Sequence, residues 1–166
     1  MNCRNDIIEF SEEHSHITYD RSTKCALAYA SVGMLEYWLY TFLTVDANAR
    51  NIVAEIKMYQ SHFIGPIYFP INRFSRCCGP EPEMRYYEPS LQFEQRVNDL
   101  AQKILTGVDL PPLLLYYFDG EIDLFDGAHR YEAYKRLHAG YIPAIIWTNN
   151  DLDYVDFNQK HQLLQI

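Results

Sequence analysis

The chain is short of basic residues. Its 166 residues hold 14 Lys and Arg against 22 Asp and Glu, a formal net charge of −8. Duplex DNA is gripped mainly by basic side chains that neutralise its phosphates. This balance argues against duplex DNA as a partner but leaves room for a small basic pocket that takes one nucleotide. Cysteine is sparse too: Cys3, Cys25, Cys77 and Cys78 form no Cys-x-x-Cys pair. Adjacent Cys77 and Cys78 read as loop packing ahead of a redox pair, because cysteine commonly acts as a small hydrophobe. No signal peptide opens the sequence, so a reduced, cytoplasmic setting is expected. His14 and His16 have no neighbouring thiol or third ligand and read as solvated. A clean membrane span is missing. The apolar stretch from Cys25 to Val45 is interrupted by Gly33, Glu36 and several Ser and Thr, and a mid-span glutamate is costly in lipid. No internal repeat or low-complexity tract is present.

What is there suffices for one domain with a sizeable core. Apolar residues make up 48% of the chain and aromatics 15%, with 14 tyrosines. Residues 1–24 read as a polar lead-in. A helix is expected from Thr23 to Thr44, with Leu35, Trp38, Leu39 and Phe42 on one face. A second, capped by Asp46 and carrying Ala49, Ile52, Val53 and Ile56, should end near Gln60 and complete a helical hairpin. Gly65-Pro66 marks a break before a short strand, Ile67 to Ile71. A long loop, Asn72 to Glu88, carries most of the remaining arginines and glutamates, and loops of that length are usually functional or disordered. Ser90 is expected to cap a helix with Phe93, Val97, Leu100, Ala101 and Ile104 on its apolar face, ended by Gly107. Leu113 to Phe118 reads as a strand covered on both faces. Asp119-Gly120 turns it into a second strand, Glu121 to Phe125. Ile142 to Trp147 is a further strand, and Asn149 to Ile166 a terminal helix or tail. The expected architecture is α/β, a small mixed sheet with flanking helices and an N-terminal helical hairpin. Residues 1–64 form a helical extension, 65–148 the core and 149–166 the tail, within one compact domain.

The chain is organised around Leu124-Phe125-Asp126-Gly127-Ala128-His129-Arg130. A strand runs in, and a helix with Tyr131, Tyr134, Leu137 and His138 runs out, with Gly140 as its expected stop. Gly127 can take a positive φ and lets a ligand approach the backbone. The N–H groups from Gly127 to Arg130 are orphan donors at a helix start, which attracts anions. His129 adds a donor, and Arg130 a planar fork suited to phosphate. A plain Asp-Gly turn with Asp126 as helix cap is the competing reading.

Pro111-Pro112-Leu113-Leu114-Leu115, Asp119-Gly120, Asp126-Gly127-Ala128-His129-Arg130 and Ile142-Pro143-Ala144-Ile145-Ile146 together resemble the ParB/sulfiredoxin superfamily, over roughly Gly65 to Thr148. There, an Asp-Gly-x-His-Arg turn opens a helix and cradles nucleotide phosphates. The branch with that motif includes the free-serine kinases. Sulfiredoxins carry Cys before His-Arg, where this chain has Ala128, so their chemistry is not expected. The resemblance implies a kinase that moves a phosphoryl group from ATP or ADP, with Mg²⁺, to a small hydroxyl compound.

On that reading, Asp126, Gly127, Ala128, His129 and Arg130 bind the nucleotide, and His129 and Arg130 also serve catalysis. Glu81 is the base, with a slide to Glu83 allowed by the spacing. Arg73, Arg76, Glu83 and Arg85 contact the substrate or the transferring phosphoryl. Asp126 either holds Mg²⁺ through water or caps the helix. Two rivals stand beside the kinase: a ParB-type regulatory protein that binds or hydrolyses nucleotide, and a non-catalytic interaction domain.

Overall fold

The structure, a computed structural model, describes residues 17–161; Cys3, His14 and His16 lie outside them. Three short helical pieces come first: α1 (Thr23–Ser31), α2 (Leu35–Thr41) with a π-helical turn (Phe42–Asp46), and α3 (Arg50–Ile56). Strand β1 (His62–Pro70) leads through a 3₁₀ turn (Ile71–Arg73) to two minimal strands, β2 (Cys78–Gly79) and β3 (Tyr86–Tyr87). Then come α4 (Ser90–Leu105), β4 (Leu113–Phe118), β5 (Glu121–Asp126), α5 (Ala128–Arg136), β6 (Tyr141–Thr148) and α6 (Asp151–Lys160).

The fold is mixed α/β. The main sheet has the order β1-β6-β4-β5. β6 runs antiparallel to β1 and parallel to β4, and β4 is antiparallel to β5. The two central strands are almost wholly buried, as their unbroken apolar runs require. Alternate residues serve different faces. Leu113, Leu115, Tyr117, Ala144 and Ile146 pack beneath α5 and α6 with Tyr131 and Phe157. Leu114, Ile145 and Trp147 pack against α1, α2 and α3 through Trp38, Leu39, Leu43 and Ile56. Helix α4 lies outside α5, joined by Phe93, Val97 and Ala133. The N-terminal helices are therefore one of the layers that bury the sheet, and the expected boundary between residues 64 and 65 falls inside β1.

Several local expectations are corrected. The helix expected from Thr23 to Thr44 breaks at Val32–Met34, where Gly33 takes φ +75°. Asp46 does not cap α3, which starts at Arg50 with no side-chain cap; its carboxylate instead accepts a hydrogen bond from the Tyr19 hydroxyl. Gly65-Pro66 is a bulge inside β1 rather than a break before it, and pairing with β6 resumes at Ile67. Ser90 is already helical, and Pro89 stands at the cap position. Helix α5 ends at Arg136 with His138, not Gly140, in the left-handed conformation at φ +57°. The Asp119-Gly120 turn holds as read, with φ of +49° and +84°, both positive as a tight hairpin turn demands. No helix among the described residues is long and apolar enough to cross a membrane.

Candidate functional site

Strand β5 delivers Asp126 to the rim of a cavity of about 630 Å³, and Gly127 turns the chain into α5. Gly127 has φ +109°, a conformation that glycine tolerates and other residues resist. A Cβ there would lie 2.3 Å from Leu113 Cδ2 and 3.0 Å from an Arg130 terminal nitrogen. No side chain caps the first turn of α5. The first intrahelical bond is Tyr131 N–H to Gly127 O, so the amides of Ala128, His129 and Arg130 are the orphan donors of this helix start. All three residues line the cavity.

The structure brings Asp126, Gly127, Ala128, His129 and Arg130 together on one wall, but the Arg130 side chain faces inward. It is 8% exposed. One terminal nitrogen donates to the carbonyls of Pro111 and Pro112, both at 2.8 Å, and the other to the Asp126 carboxylate. Its guanidinium also lies 5.5 Å from the Phe42 ring centroid. Arg130 thus ties the turn to the segment before β4 and to the π-helical turn. Asp126 forms an ion pair with Arg130 and does not cap α5. Among the described residues no group of three or more His, Cys, Asp or Glu is placed to hold a metal ion.

His129 Nε2 lies 2.7 Å from Glu88 Oε2. A carboxylate only accepts, so the ring donates there. The other Glu88 oxygen accepts from Arg96 at 3.3 Å, and the Cys78 thiol donates to Oε2 at 3.7 Å. Arg96, Lys103 and Arg21 add positive charge to the cavity wall, Asp46 and Asp109 add negative charge, and Phe42, Tyr86, Leu100 and Phe125 add apolar surface.

The other residues expected at the site lie apart from this cavity. Arg76 is nearly buried and grips both oxygens of Glu81, and it also donates to Glu132 at 3.0 Å. Hydrogen bonding to Arg76 holds the Glu81 carboxyl down at about 2. Gly79 makes room for this pair: a Cβ there would fall 1.8 Å from Arg76 Nη1. Burial raises Glu132, but its bonds to Arg136 and Arg76 outweigh that and leave it below the usual carboxylate range. Arg73, Glu83 and Arg85 are exposed, and Arg85 lies over the Tyr86 ring. None of these residues lines the cavity.

Sequence reasoning gave no role to Glu88, Arg96 or Lys103, and read Cys77 and Cys78 as loop packing, whereas Cys77 is exposed. One signal was available: Arg96, Leu100 and Lys103 are spaced i, i+4 and i+7 on α4, one stripe beside its apolar face. The partnership of Glu88 with His129, 41 residues away, has no local signal.

No protein-family model matches the chain, and no curated protein matches it. Among solved structures it is similar to sulfiredoxin from Arabidopsis thaliana, with TM-score 0.37 and 18% identity over 59% of this chain and 97% of that one. It is also similar to the C-terminally truncated chromosome-partitioning protein ParB from Caulobacter crescentus complexed with CTP-gamma-S. There the TM-score is 0.36 and the identity 20%, over 64% of this chain and 55% of that chain.

Proposed function

We propose that the protein binds ATP or ADP with its phosphates on the first turn of α5 and transfers a phosphoryl group to a small hydroxyl compound. One observation carries this reading: an uncapped helix start opens into a cavity of nucleotide size with Arg21, Arg96 and Lys103 on its wall. The amides of Ala128, His129 and Arg130 serve as anion donors, and the apolar wall suits a base. Arg130 contributes its amide, while its side chain props the turn. Mg²⁺ is held on this reading mainly by the phosphates, since the Asp126 carboxylate is already paired with Arg130.

Phosphoryl transfer depends on positioning and charge stabilisation, with a base to orient and deprotonate the acceptor. Glu81, the base expected from the sequence, is engaged by Arg76 and held at about 2, which makes it a weak proton acceptor. Glu88 meets the turn itself, 2.7 Å from a ring nitrogen of His129, and is the second candidate; it too is paired, with Arg96 and the Cys78 thiol. The locked state of Glu81 also favours a second reading, nucleotide binding without transfer.

Calorimetric titration with ATP and ADP in the presence of Mg²⁺ tests the first step. Arg96→Ala with Lys103→Ala should weaken binding about tenfold, near 1 kcal/mol or less for each exposed charge. Absence of nucleotide binding by the wild type refutes the proposal. The second step is tested by incubation with ATP and a pool of hydroxyl metabolites, followed by mass spectrometry for phosphorylated products. Transfer should fall about 10²–10⁴-fold in Glu88→Gln, the usual cost of losing a general base, and little in Glu81→Gln. The reverse order restores Glu81 as the base. Binding with no product establishes the reading without transfer.

A further inference from the structure

We propose that Cys77 and Cys78 close a reversible disulfide with each other that dismantles one wall of the cavity and weakens ligand binding there; this regulation rests on the nucleotide-binding reading above. Both thiols are free, Cys77 exposed and Cys78 half-buried, and both line the cavity. The peptide between them is also the first rung of the small β2–β3 ladder. Its carbonyl, that of Cys77, accepts the Tyr86 N–H at 2.9 Å, and the Gly79 carbonyl accepts the Glu88 N–H at 3.0 Å. Cys78 Sγ donates to Glu88 Oε2, the same oxygen that receives His129. The two cysteines therefore hold Tyr86 and Glu88 in place, and through Glu88 they hold His129.

A bond between neighbouring cysteines cannot form without moving that peptide. Adjacent α-carbons stand about 3.8 Å apart across a trans peptide, whereas relaxed disulfides span roughly 4.4–6.8 Å. Closing the ring rotates the peptide, takes the Cys77 carbonyl from Tyr86 and draws Cys78 Sγ off Glu88. Strain and exposure also make such a bond easy to reduce, which suits a switch rather than a staple. The order of events follows from exposure. The Cys77 thiolate attacks a small-molecule disulfide, forming a mixed disulfide and releasing one thiol. Cys78, whose thiol is pushed up by burial and by Glu88, then loses its proton to solvent and attacks Cys77 Sγ as the thiolate, breaking the mixed disulfide and releasing the second small thiolate, which takes up a proton. The two protons lost by the protein end on the two released thiols. The small disulfide is reduced as the cysteine pair is oxidised.

The experiment exposes the protein, with Cys3→Ser to remove a thiol outside the described residues, to oxidised glutathione. Trypsin cuts after Arg76 and Arg85, so both thiols fall on the single peptide 77–85. That peptide should lose two hydrogens, regain them with dithiothreitol, and stay unchanged in mass by this route in Cys77→Ser and Cys78→Ser. The amide resonances of Tyr86 and Glu88 should shift on oxidation, and ATP affinity should fall about tenfold or more, as for loss of a hydrogen bond to a charged group. Glutathione adducts that never resolve into the intramolecular bond overturn the proposal. So does a disulfide that forms without moving those amides, or one that moves them and leaves ATP affinity unchanged. If the reduced protein binds no ATP, the nucleotide reading fails and takes the regulation with it, while the mass and amide shifts still report whether the wall opens.

Discussion

Replacing Gly127 with alanine separates two costs at the centre of the molecule. The first is backbone. Gly127 sits at φ +109°, and an L-residue on the left-handed side costs about 1–2 kcal/mol. The second is packing. The new methyl would lie 2.3 Å from Leu113 Cδ2 and 3.0 Å from Arg130 Nη2. Leu113 is fully buried and Arg130 is pinned by three acceptors, so neither yields freely, and overpacking of this kind costs about 1–3 kcal/mol. The sum is about 2–5 kcal/mol, a large share of the roughly 5–15 kcal/mol typical of a folded domain.

Two other glycines supply the controls. Gly33 has φ +75° and open space around its Cβ direction, so Gly33→Ala carries the backbone cost alone, about 1–2 kcal/mol. Gly140 has no positive φ and open space, so Gly140→Ala should be neutral or slightly stabilising. Thermal unfolding followed by circular dichroism reads the series. For a chain of this length about 2–4 °C accompanies each kcal/mol, which places Gly127→Ala roughly 4–20 °C below the wild type and below Gly33→Ala. A Gly127→Ala protein as stable as Gly33→Ala would refute the packing argument. It would mean that Arg130 and Leu113 do not press against the turn as described.

Arg130→Ala should cost about 3–5 kcal/mol in urea unfolding, the range for breaking a buried ion pair, because Asp126 and two proline carbonyls lose their donor. The Glu81 carboxyl, held at about 2 in the folded chain against an ordinary 4.5, stabilises the fold above the ordinary value and loses that contribution as pH falls from 4.5 towards 2. The urea midpoint of wild type should therefore exceed that of Glu81→Gln at neutral pH, and the gap should close across that acid window. His138→Gly relieves a residue at φ +57° and should raise the melting temperature slightly, by the equivalent of up to about 1 kcal/mol. Fluorescence anisotropy with duplex DNA at physiological salt should show no appreciable binding, given a net charge of −8.

The strands and turns from Leu113 to Gly127 were legible because their rules are local. Alternation marks β5, an unbroken apolar run marks β4, and Asp119-Gly120 and Gly127 supply positive φ at the two turns. The N-terminal region was harder to read. The apolar period runs on through the break at Gly33 because α1 and α2 both pack into the same cluster with Leu114, Ile145 and Trp147. Periodicity records the face that is buried, not the continuity of the helix that buries it. The site was half legible. The turn announces itself, but the direction of Arg130 is set by Pro111, Pro112 and Phe42, distant in sequence. One partner each of Arg76 and Glu88 is equally remote: Glu132 lies 56 positions from the one and His129 41 from the other. A loop rich in Arg and Glu shows that ion pairs will form and not which ones.

The inward turn of Arg130 changes how the anion site is built. A fork aimed at solvent would supply phosphate contacts directly and leave the turn to be shaped by Gly127 alone. Folded under the turn, the same side chain fixes three segments at once: the end of β5 through Asp126, the approach to β4 through Pro111 and Pro112, and the π-helical turn through the Phe42 ring. The approach to β4 is held a second time from the N-terminal side, where Thr23 donates to the Leu110 carbonyl through both its amide and its hydroxyl, and the Lys24 amide donates to Asp109. Phe42, Asp46 and Ala47 then form part of the cavity wall itself. The helices before β1 thus do more than cover the sheet: they set the position of the walls against which the first turn of α5 opens. Charge for an anion has to come from elsewhere, and Arg96 and Lys103 of α4, with Arg21, line that space, although Arg96 is also paired with Glu88 and Lys103 with Asp99. A chain with net negative charge can still hold an anion there, because charges beyond roughly 8 Å are largely screened at physiological salt while the adjacent cations and the amides of the helix start are not.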